Sequence, residues 1–478
     1  MNQFLLEMPV SIRDALEKLN QAQIKTVFLV SNGKLIGSIT DGDVRRSLLQ
    51  GKTLANSALD IANLNMKFVL ESSSPVDIHQ AFGSDISYIP VIDSNGIVLR
   101  ILERNEKLFI PLCEPNLGID ESRLVNEALD SKWISSAGTF VGQFETLFAN
   151  YVNSKFALSV SNGTLGLVLA LKVLKIGHGD EVLVPNLTFG ATANAVIQVG
   201  AIPIFVDVDI NNMAINLEDA KLKVSTKTKA IIPVHLYGNS APIDEILSFS
   251  KSFNLKVIED AAEAIGTKYK NRHVGTFGDI GVFSFYANKT ITTGEGGMLV
   301  LGDKVLFDSA KMMRSHGFSP SNRYWHETWG TNMRLTNLQA ALGVAQMGRI
   351  EELVKAKREI AANYMELLSP LEKDYLIFPK PDSRILNSNW LFVLRLREPN
   401  RLDELSKFLF KIGIESRRFF YPLNSQPAFS NYHKKGELFP VSESLYNSGI
   451  CLPSSTNLTF AEISKVSKSI FNFFSESS

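Results

Sequence analysis

The sequence predicts an α/β protein: a large domain whose sheet lies buried between helix layers, preceded by a small α+β module. Three observations carry this. From about Pro111 onward, short apolar strand segments alternate with helical ones. Those strands are apolar on both faces, as strands covered by helices on each side must be. The first hundred or so residues instead repeat a helix–hairpin pattern.

In the first copy, Ser11 to Leu19 places Ile12, Ala15, Leu16 and Leu19 on one helical face, with Ser11 as N-cap. The β-branched run Thr26–Val30 ends in the turn Ser31-Asn32-Gly33, and Leu35–Ile39 is its hairpin partner. The second copy begins a helix at Ser74-Pro75 and continues with the strand Tyr88–Ile92. Its turn is Ser94-Asn95-Gly96, and its second hairpin strand is Ile97–Leu102. Glu103 to Glu114 reads as the linker. Beyond it, strands are expected at 157–160, 181–184, 201–206, 230–234 and 255–258, and helices at 164–174, 192–199 and 243–253. A long charged helix over 350–368 leads into a smaller α+β segment. The predicted organisation is 1–105, 106–350 and 351–478.

The chain of 478 residues carries 49 Lys+Arg against 49 Asp+Glu, a balance that gives no electrostatic drive toward nucleic acid or an anionic membrane. Its two cysteines, Cys113 and Cys451, support neither a cysteine metal cage nor a disulfide framework, so no metal is expected and a reducing, cytoplasmic setting is. The first residues lack a signal peptide's cationic start and apolar core. No apolar run of about 18 residues or more suggests a membrane span.

Four elements fall where strands should end, which is where an open α/β sheet places its ligands. Ser161-Asn162-Gly163-Thr164 opens a helix, either as an ordinary capped turn or as a phosphate cradle of backbone N–H groups. Ile258 to Glu263 runs from an apolar strand into carboxylates. Asp260 there either caps a helix or holds a protonated ring nitrogen. At 4 Å and an effective dielectric near 20 that attraction is about 4 kcal/mol, enough to move a pyridine-type pKa by about 3. Lys289 follows an aromatic strand, Phe283-Ser284-Phe285-Tyr286, and precedes the Gly-rich turn 294–297. It is either one more solvated lysine or a desolvated nucleophile for carbonyls. Phe189, after Pro185-Asn186-Leu187-Thr188, is either core or a platform for a flat ring. In the order phosphate turn, stacking aromatic, acidic strand end and lysine, the four describe a pyridoxal phosphate pocket.

Here a family resemblance becomes specific. The stretches SNGTLGLVLAL, GDEVLVPNLTFGATANAV, IPIFVDVD, KAIIPVHLYGN, VIEDAAEAIGTKYKNRHVGTFGDIGVFSFYANKTITTGEGGML and TNMRLTNLQAALGVAQ resemble the sugar aminotransferase family called DegT/DnrJ/EryC1/StrS, over about residues 111–478. The resemblance implies the aspartate aminotransferase (type I) fold and pyridoxal 5'-phosphate as cofactor. It implies that Lys289 attaches the cofactor covalently and later shuttles the proton. Asp260 would pair with the pyridinium nitrogen, Phe189 would stack on the ring, and Gly163, Thr164 and Ser284 would hold the phosphate. Asn332 would reach the phosphate of a neighbouring subunit, which implies a homodimer or higher homo-oligomer. Trp133 and Ser135 match the family's W-I-S element at the substrate site. Arg417 and Tyr421 are nucleotide or sugar contacts, or else an ion-paired and a packed side chain.

The family's usual Gln is Glu263 here, another expected cofactor neighbour. With NKTITTGEGG and SRRFFYPLNSQPAF, that form is most similar to the GDP-perosamine synthases. The implied reaction moves an amino group from L-glutamate to C4 of a nucleotide-linked 4-keto-6-deoxyhexose, for O-antigen or surface polysaccharide precursors. A UDP- or dTDP-linked substrate stays open, as does the effect of Asn424 where the family usually has His. A dehydratase of the same fold would replace the lysine with His, and Lys289 argues against it. A nucleotide sensor without turnover would not need the complete lysine, aspartate and phosphate set. Gly37 to Arg46 resembles the CBS-domain signature, in which Thr40 and Asp43 would grip the ribose of an adenine or other nucleotide. The second copy lacks that element. The alternative is a dimerising scaffold.

Overall fold

The computed structural model describes residues 3–22, 24–73, 75–82, 86–104, 109–319, 321–322, 324–434 and 436–475. Contacts divide the chain into two compact units, Met1–Ile110 with Phe408–Ile414, and Pro111–Lys407 with Glu415–Ser478. Ser74, the expected start of the second helical segment, lies outside the described residues. So do residues 105–108, within the expected linker and at the 105/106 boundary. Among the described residues no helix is long and apolar enough to cross a membrane.

The first unit is built twice to one plan. Strands β1 (Leu5–Glu7), β2 (Thr26–Ser31) and β3 (Lys34–Thr40) form one three-stranded sheet. Strands β4 (Val69–Leu70), β5 (Tyr88–Ile92) and β6 (Val98–Glu103) form another. In each, the first pair is parallel and the second is the antiparallel hairpin. Even the register irregularity recurs, at Leu29/Val30 and at Val91/Ile92. The hairpin turns meet edge to edge, with Leu35 N–H donating to Gly96 O (3.0 Å) and Val98 N–H to Gly33 O (3.0 Å).

The second unit is organised by a seven-stranded sheet. Its strands are β7 (Phe156–Val160), β8 (Glu181–Pro185), β9 (Ile202–Val206), β10 (Thr228–Ile231) and β11 (Lys256–Asp260). Past the short hairpin β12 (Lys268–Tyr269) and β13 (Arg272–His273) come β14 (Ile280–Ser284) and β15 (Gly297–Leu301). The order is β7-β15-β14-β11-β10-β8-β9. Strand β15 is antiparallel to both its neighbours and the remaining pairings are parallel. Side-chain alternation splits this sheet between two core layers: Leu158, Val160, Leu299 and Leu301 face one, Ala157, Met298 and Val300 the other. Burial on both faces explains why these strands read as near-continuous apolar runs.

The helices expected at 164–174, 192–199 and 243–253 are Gly163–Val173, Ala191–Gln198 and Ile243–Phe253, and the charged helix is Ile350–Leu368. After it, β16 (Leu376–Ile377), β18 (Phe392–Leu396), β20 (Gly449–Leu452) and β19 (Arg417–Arg418) make a separate antiparallel sheet, while β17 (Ile385–Leu386) joins the β12–β13 hairpin. Because β7, β8, β11 and β14 run the same way, their carboxyl ends open on one side. The four elements singled out in the sequence all lie there.

Candidate active site

A cavity of about 710 Å³ lies at those strand ends. At its sheet end β7 passes through Ser161-Asn162 into the helix Gly163–Val173. Asn162 Oδ1 caps that helix by accepting from Leu165 N–H (2.9 Å), and Asn162 O accepts from Gly166 N–H (3.1 Å). The N–H groups of Gly163 and Thr164, in the first turn, have no intrahelical partner to meet and point out of it. A Cβ on Gly163 would stand 3.1 Å from Ser284 Cβ, so the turn and the Ser284 hydroxyl are brought close together. Gly297 opposite has the same logic, since a Cβ there would lie 2.7 Å from the carbonyl carbon of Asn162.

Asp260 ends β11 and is buried. Its Oδ2 accepts from the Thr192 hydroxyl (2.8 Å), which in turn lies 3.2 Å from the Thr188 hydroxyl, and its Oδ1 accepts from Ala262 N–H (3.2 Å). Burial pushes its carboxyl above the usual range, against the pull of the Thr192 hydroxyl, the Ala262 N–H and the Lys289 charge. The neighbouring Glu259 points the other way. It accepts from Gly275, Phe277 and Gly278 N–H (2.7, 2.6 and 2.7 Å) and faces His235 Nε2 at 3.1 Å. His235 Nδ1 accepts from Ala241 N–H (3.1 Å), which leaves Nε2 to carry the ring proton. Burial acts to raise the Glu259 carboxyl, but His235 and these N–H groups hold it below the usual range. Of two consecutive carboxylates, one is saturated by its own chain and the other keeps capacity for a cationic partner.

Lys289 is buried among charges. Its Nζ lies 3.5 Å from Glu263 Oε1 and 3.8 Å from the centre of the Trp390 ring. Burial pushes the amine below the usual lysine range; Glu263 and Asp260 oppose that and Arg417 adds to it. Glu263 is pushed above the carboxylate range by burial, opposed first by Lys289. Its Oε2 accepts from Tyr237 N–H (2.9 Å). Tyr237 is buried with a left-handed backbone (φ 55°) and its ring stacks on Phe420. Arg417 lines the same cavity, and its Nε and Nη2 are buried without a partner among the described residues, as is Asn288 Oδ1.

Gly163, Thr164, Phe189, Asp260, Glu263, Ser284, Lys289 and Arg417 therefore line one cavity. Phe189 is 61% exposed there, free to receive a flat ring and unlike a core aromatic. Four expected residues lie outside its lining. Trp133 is 63% exposed, and the carbonyls of Trp133 and Ser135 are tied to Asn337 (2.7 and 2.8 Å) at a helix start. Tyr421 packs on Tyr446 with ring centres 4.4 Å apart. Exposed Asn332 accepts from Arg334 Nε (3.0 Å). Asn424 pairs with Asn186: Asn186 Nδ2 donates to Asn424 Oδ1 (2.7 Å) and Asn424 N–H to Asn186 Oδ1 (2.9 Å). Thr40 and Asp43, in the other unit, form a capping box in which the Thr40 hydroxyl donates to Asp43 Oδ2 (2.6 Å), while Arg46 covers Asp43 Oδ1 (2.5 Å).

The sequence reading missed Thr192 and Trp390. Thr192 sits 68 positions before the aspartate it bonds, and no local pattern announces that. Trp390 begins an apolar strand run and reads as core.

The donor set fits pyridoxal phosphate: outward N–H groups and a hydroxyl for a phosphate, an open aromatic for the ring, a carboxyl with spare capacity for the ring nitrogen, and a buried amine. The sequence profile of the DegT/DnrJ/EryC1/StrS aminotransferase family matches residues 115–471, and that of the CBS domain matches residues 9–50. The chain is 42% identical over 368 residues to GDP-perosamine synthase of Escherichia coli O157:H7, covering 77% of this chain and 99% of that protein. It is 40% identical to the Vibrio cholerae GDP-perosamine synthase, covering 76% and 99%. Among solved structures, the Psychrobacter cryohalolentis aminotransferase superposes with a TM-score of 0.73 at 31% identity, covering 77% of this chain and 99% of that one. The chain belongs to the DegT/DnrJ/EryC1/StrS aminotransferase family and is a pyridoxal-phosphate-dependent aminotransferase.

Proposed function

We propose that this member of the family transfers the amino group of L-glutamate to C4 of a GDP-linked 4-keto-6-deoxyhexose. The observation that carries the reading is the Lys289 amine, buried 3.5 Å from Glu263 in a cavity that also holds Asp260 and the unpartnered N–H groups of Arg417. The GDP-perosamine synthase relatives supply the nucleotide and the sugar.

In this reading Gly163, Thr164 and Ser284 hold the cofactor phosphate, Phe189 covers the ring, and Asp260, oriented by Thr192, keeps the ring nitrogen protonated. Bound there, pyridoxal phosphate supplies the aldehyde for amine exchange and the sink for the electrons released at carbon. Lys289 Nζ removes the proton from Cα of glutamate, which leaves as 2-oxoglutarate. In the second half-reaction it delivers a proton to C4 of the sugar. Glu263 keeps the amine oriented between turnovers. The Nε and Nη2 N–H groups of Arg417, without a partner among the described residues, meet an anionic part of the substrate, and buried guanidinium donors left unpaired favour such a ligand. Trp133, Ser135, Tyr421 and Asn332, outside this cavity, complete it in a homodimer, with Asn332 serving the phosphate site of the second copy.

Residues 1–105 act as a CBS pair that binds a nucleotide or assembles the oligomer, and residues 106–350 and 351–478 are the large and small domains of the enzyme. The setting is the cytoplasmic synthesis of surface polysaccharide precursors. A panel of GDP-, UDP- and dTDP-linked 4-keto-6-deoxy sugars, with glutamate and product analysis, tests the reading. Release of 2-oxoglutarate and a 4-amino product with the GDP sugar is expected. Turnover confined to the UDP or dTDP sugars overturns the nucleotide assignment.

A further inference from the structure

The mechanism uses the Lys289 side chain but leaves unexplained what fixes its backbone. Lys289 sits in a loop between β14 and β15, and the peptide that precedes it is held on both sides. Its N–H donates to Tyr286 O (2.9 Å) in a turn, and its carbonyl, that of Asn288, accepts from the Trp390 indole Nε1–H (2.7 Å) and the Cys113 thiol (3.1 Å). Trp390 is itself locked. The ammonium of Lys357, buried on the long helix, donates to Trp390 O (2.9 Å) and to Ser454 O, and reaches Cys113 Sγ at 3.4 Å. An ammonium has three protons to place, and here each finds an acceptor without a carboxylate among the described partners. Such a buried cation is tolerated only when fully hydrogen-bonded. The arrangement spends that cost on holding Trp390 in one orientation.

From that orientation Trp390 acts twice on Lys289. Its N–H fixes the peptide before the lysine, and its face lies 3.8 Å from the lysine Nζ, where the ring quadrupole favours the charged amine. We propose that Trp390 is a positioning residue for Lys289, locked by Lys357, which sets both the approach and the protonation of the reactive amine. This rests on the reading of Lys289 as the amine that attaches the cofactor. The charged groups that also face this amine are Glu263, Asp260 and Arg417, and none of them is altered in the test.

The test uses the full-length enzyme freed of cofactor. Trace acetylation with acetic anhydride from pH 7 to 11, read by mass spectrometry of the Lys289 peptide, gives the midpoint of amine ionisation. Steady-state kinetics are measured on the reloaded enzyme. Trp390→Leu, which removes the ring, is expected to lower the midpoint by about one pH unit, a tenfold rise in unprotonated amine below the midpoint. Trp390→Phe keeps the ring face and loses the N–H. Its midpoint is expected to return to the parent value while kcat stays about tenfold low at unchanged KM. A Trp390→Leu midpoint equal to the parent's, or a Trp390→Phe kcat within twofold of it, overturns the assignment. If Trp390→Leu does not fold, the Trp390→Phe kcat decides alone. Borohydride reduction of the loaded parent enzyme is run beside these. Label away from Lys289 there defeats the function proposed above, whereas label on Lys289 with variants that match the parent defeats only the role of Trp390.

Discussion

Two threonine–aspartate pairs in this chain have nearly the same geometry and opposite prospects. Thr40 donates to Asp43 at 2.6 Å and Thr192 to Asp260 at 2.8 Å. The first pair is local and half-exposed. It closes a capping box, and Arg46 takes the remaining carboxylate oxygen, so every strong acceptor is already used. The second joins residues far apart in sequence at the bottom of a cavity, and burial pushes the Asp260 carboxyl up. It is left short of a cation, which is the condition of a site awaiting one. A hydroxyl–carboxylate contact is therefore no evidence of a binding site. Its burial and the capacity left over are.

The largest effect that tests this contrast is Lys289→Ala. If the buried cavity is the reactive site, ketoacid release falls by at least about 10⁴-fold, and borohydride no longer fixes the cofactor to the protein. Retained label on Lys268 or Lys270 would place the chemistry elsewhere.

Asp260→Asn comes next, with turnover down about 10²-fold or more while the fold persists. Its stability has a definite sign. A carboxyl whose pKa is raised on folding holds more protons in the folded chain than in the unfolded one above the ordinary value of 3.8. Stability is thus lost as pH rises through the folded pKa. The cofactor-free variant is expected to melt above the cofactor-free parent at pH 8, by on the order of a few degrees, with the gap closing below pH 3.8. A variant that melts lower at pH 8 would show Asp260 already satisfied within the chain.

Glu263→Gln removes the group that most opposes the downward push of burial on Lys289. The acid limb of the kcat–pH profile should move to lower pH, with a loss of about tenfold at the optimum. An unmoved limb would leave the 3.5 Å contact without influence on the amine.

Thr40→Ala is the smallest. If the pair is only a cap, the first unit loses about 1 kcal/mol in denaturant unfolding and transamination stays within twofold. Calorimetric traces with AMP, ATP and GDP-sugars are then flat in parent and variant alike. Heat of binding in the parent that Thr40→Ala abolishes would instead make Thr40–Asp43 a nucleotide site.

Much of this was legible along the chain. Strands buried on both faces, such as Phe156–Val160 and Glu181–Pro185, announce themselves as apolar runs, and the helix Ile350–Leu368 is an amphipathic period with an acidic first turn. Gly163, Asp260 and Lys289 could be grouped from the sequence because each stands at or a few residues beyond the end of a strand, where an open α/β sheet gathers its ligands. What the sequence by itself determined is this set of local commitments: which segments become strands and helices, which residues sit at their ends, and a likeness to one enzyme family over residues 115–471. Only the tertiary structure decided which side chains share a cavity. It put Thr192 on Asp260, set the Trp390 ring against the Lys289 amine, and left Arg417 Nε and Nη2 without a hydrogen-bond partner among the described residues. The physical reason is that periodicity and capping act over a few residues. Desolvation and pairing between distant groups depend on how separate elements pack, and no local pattern encodes that.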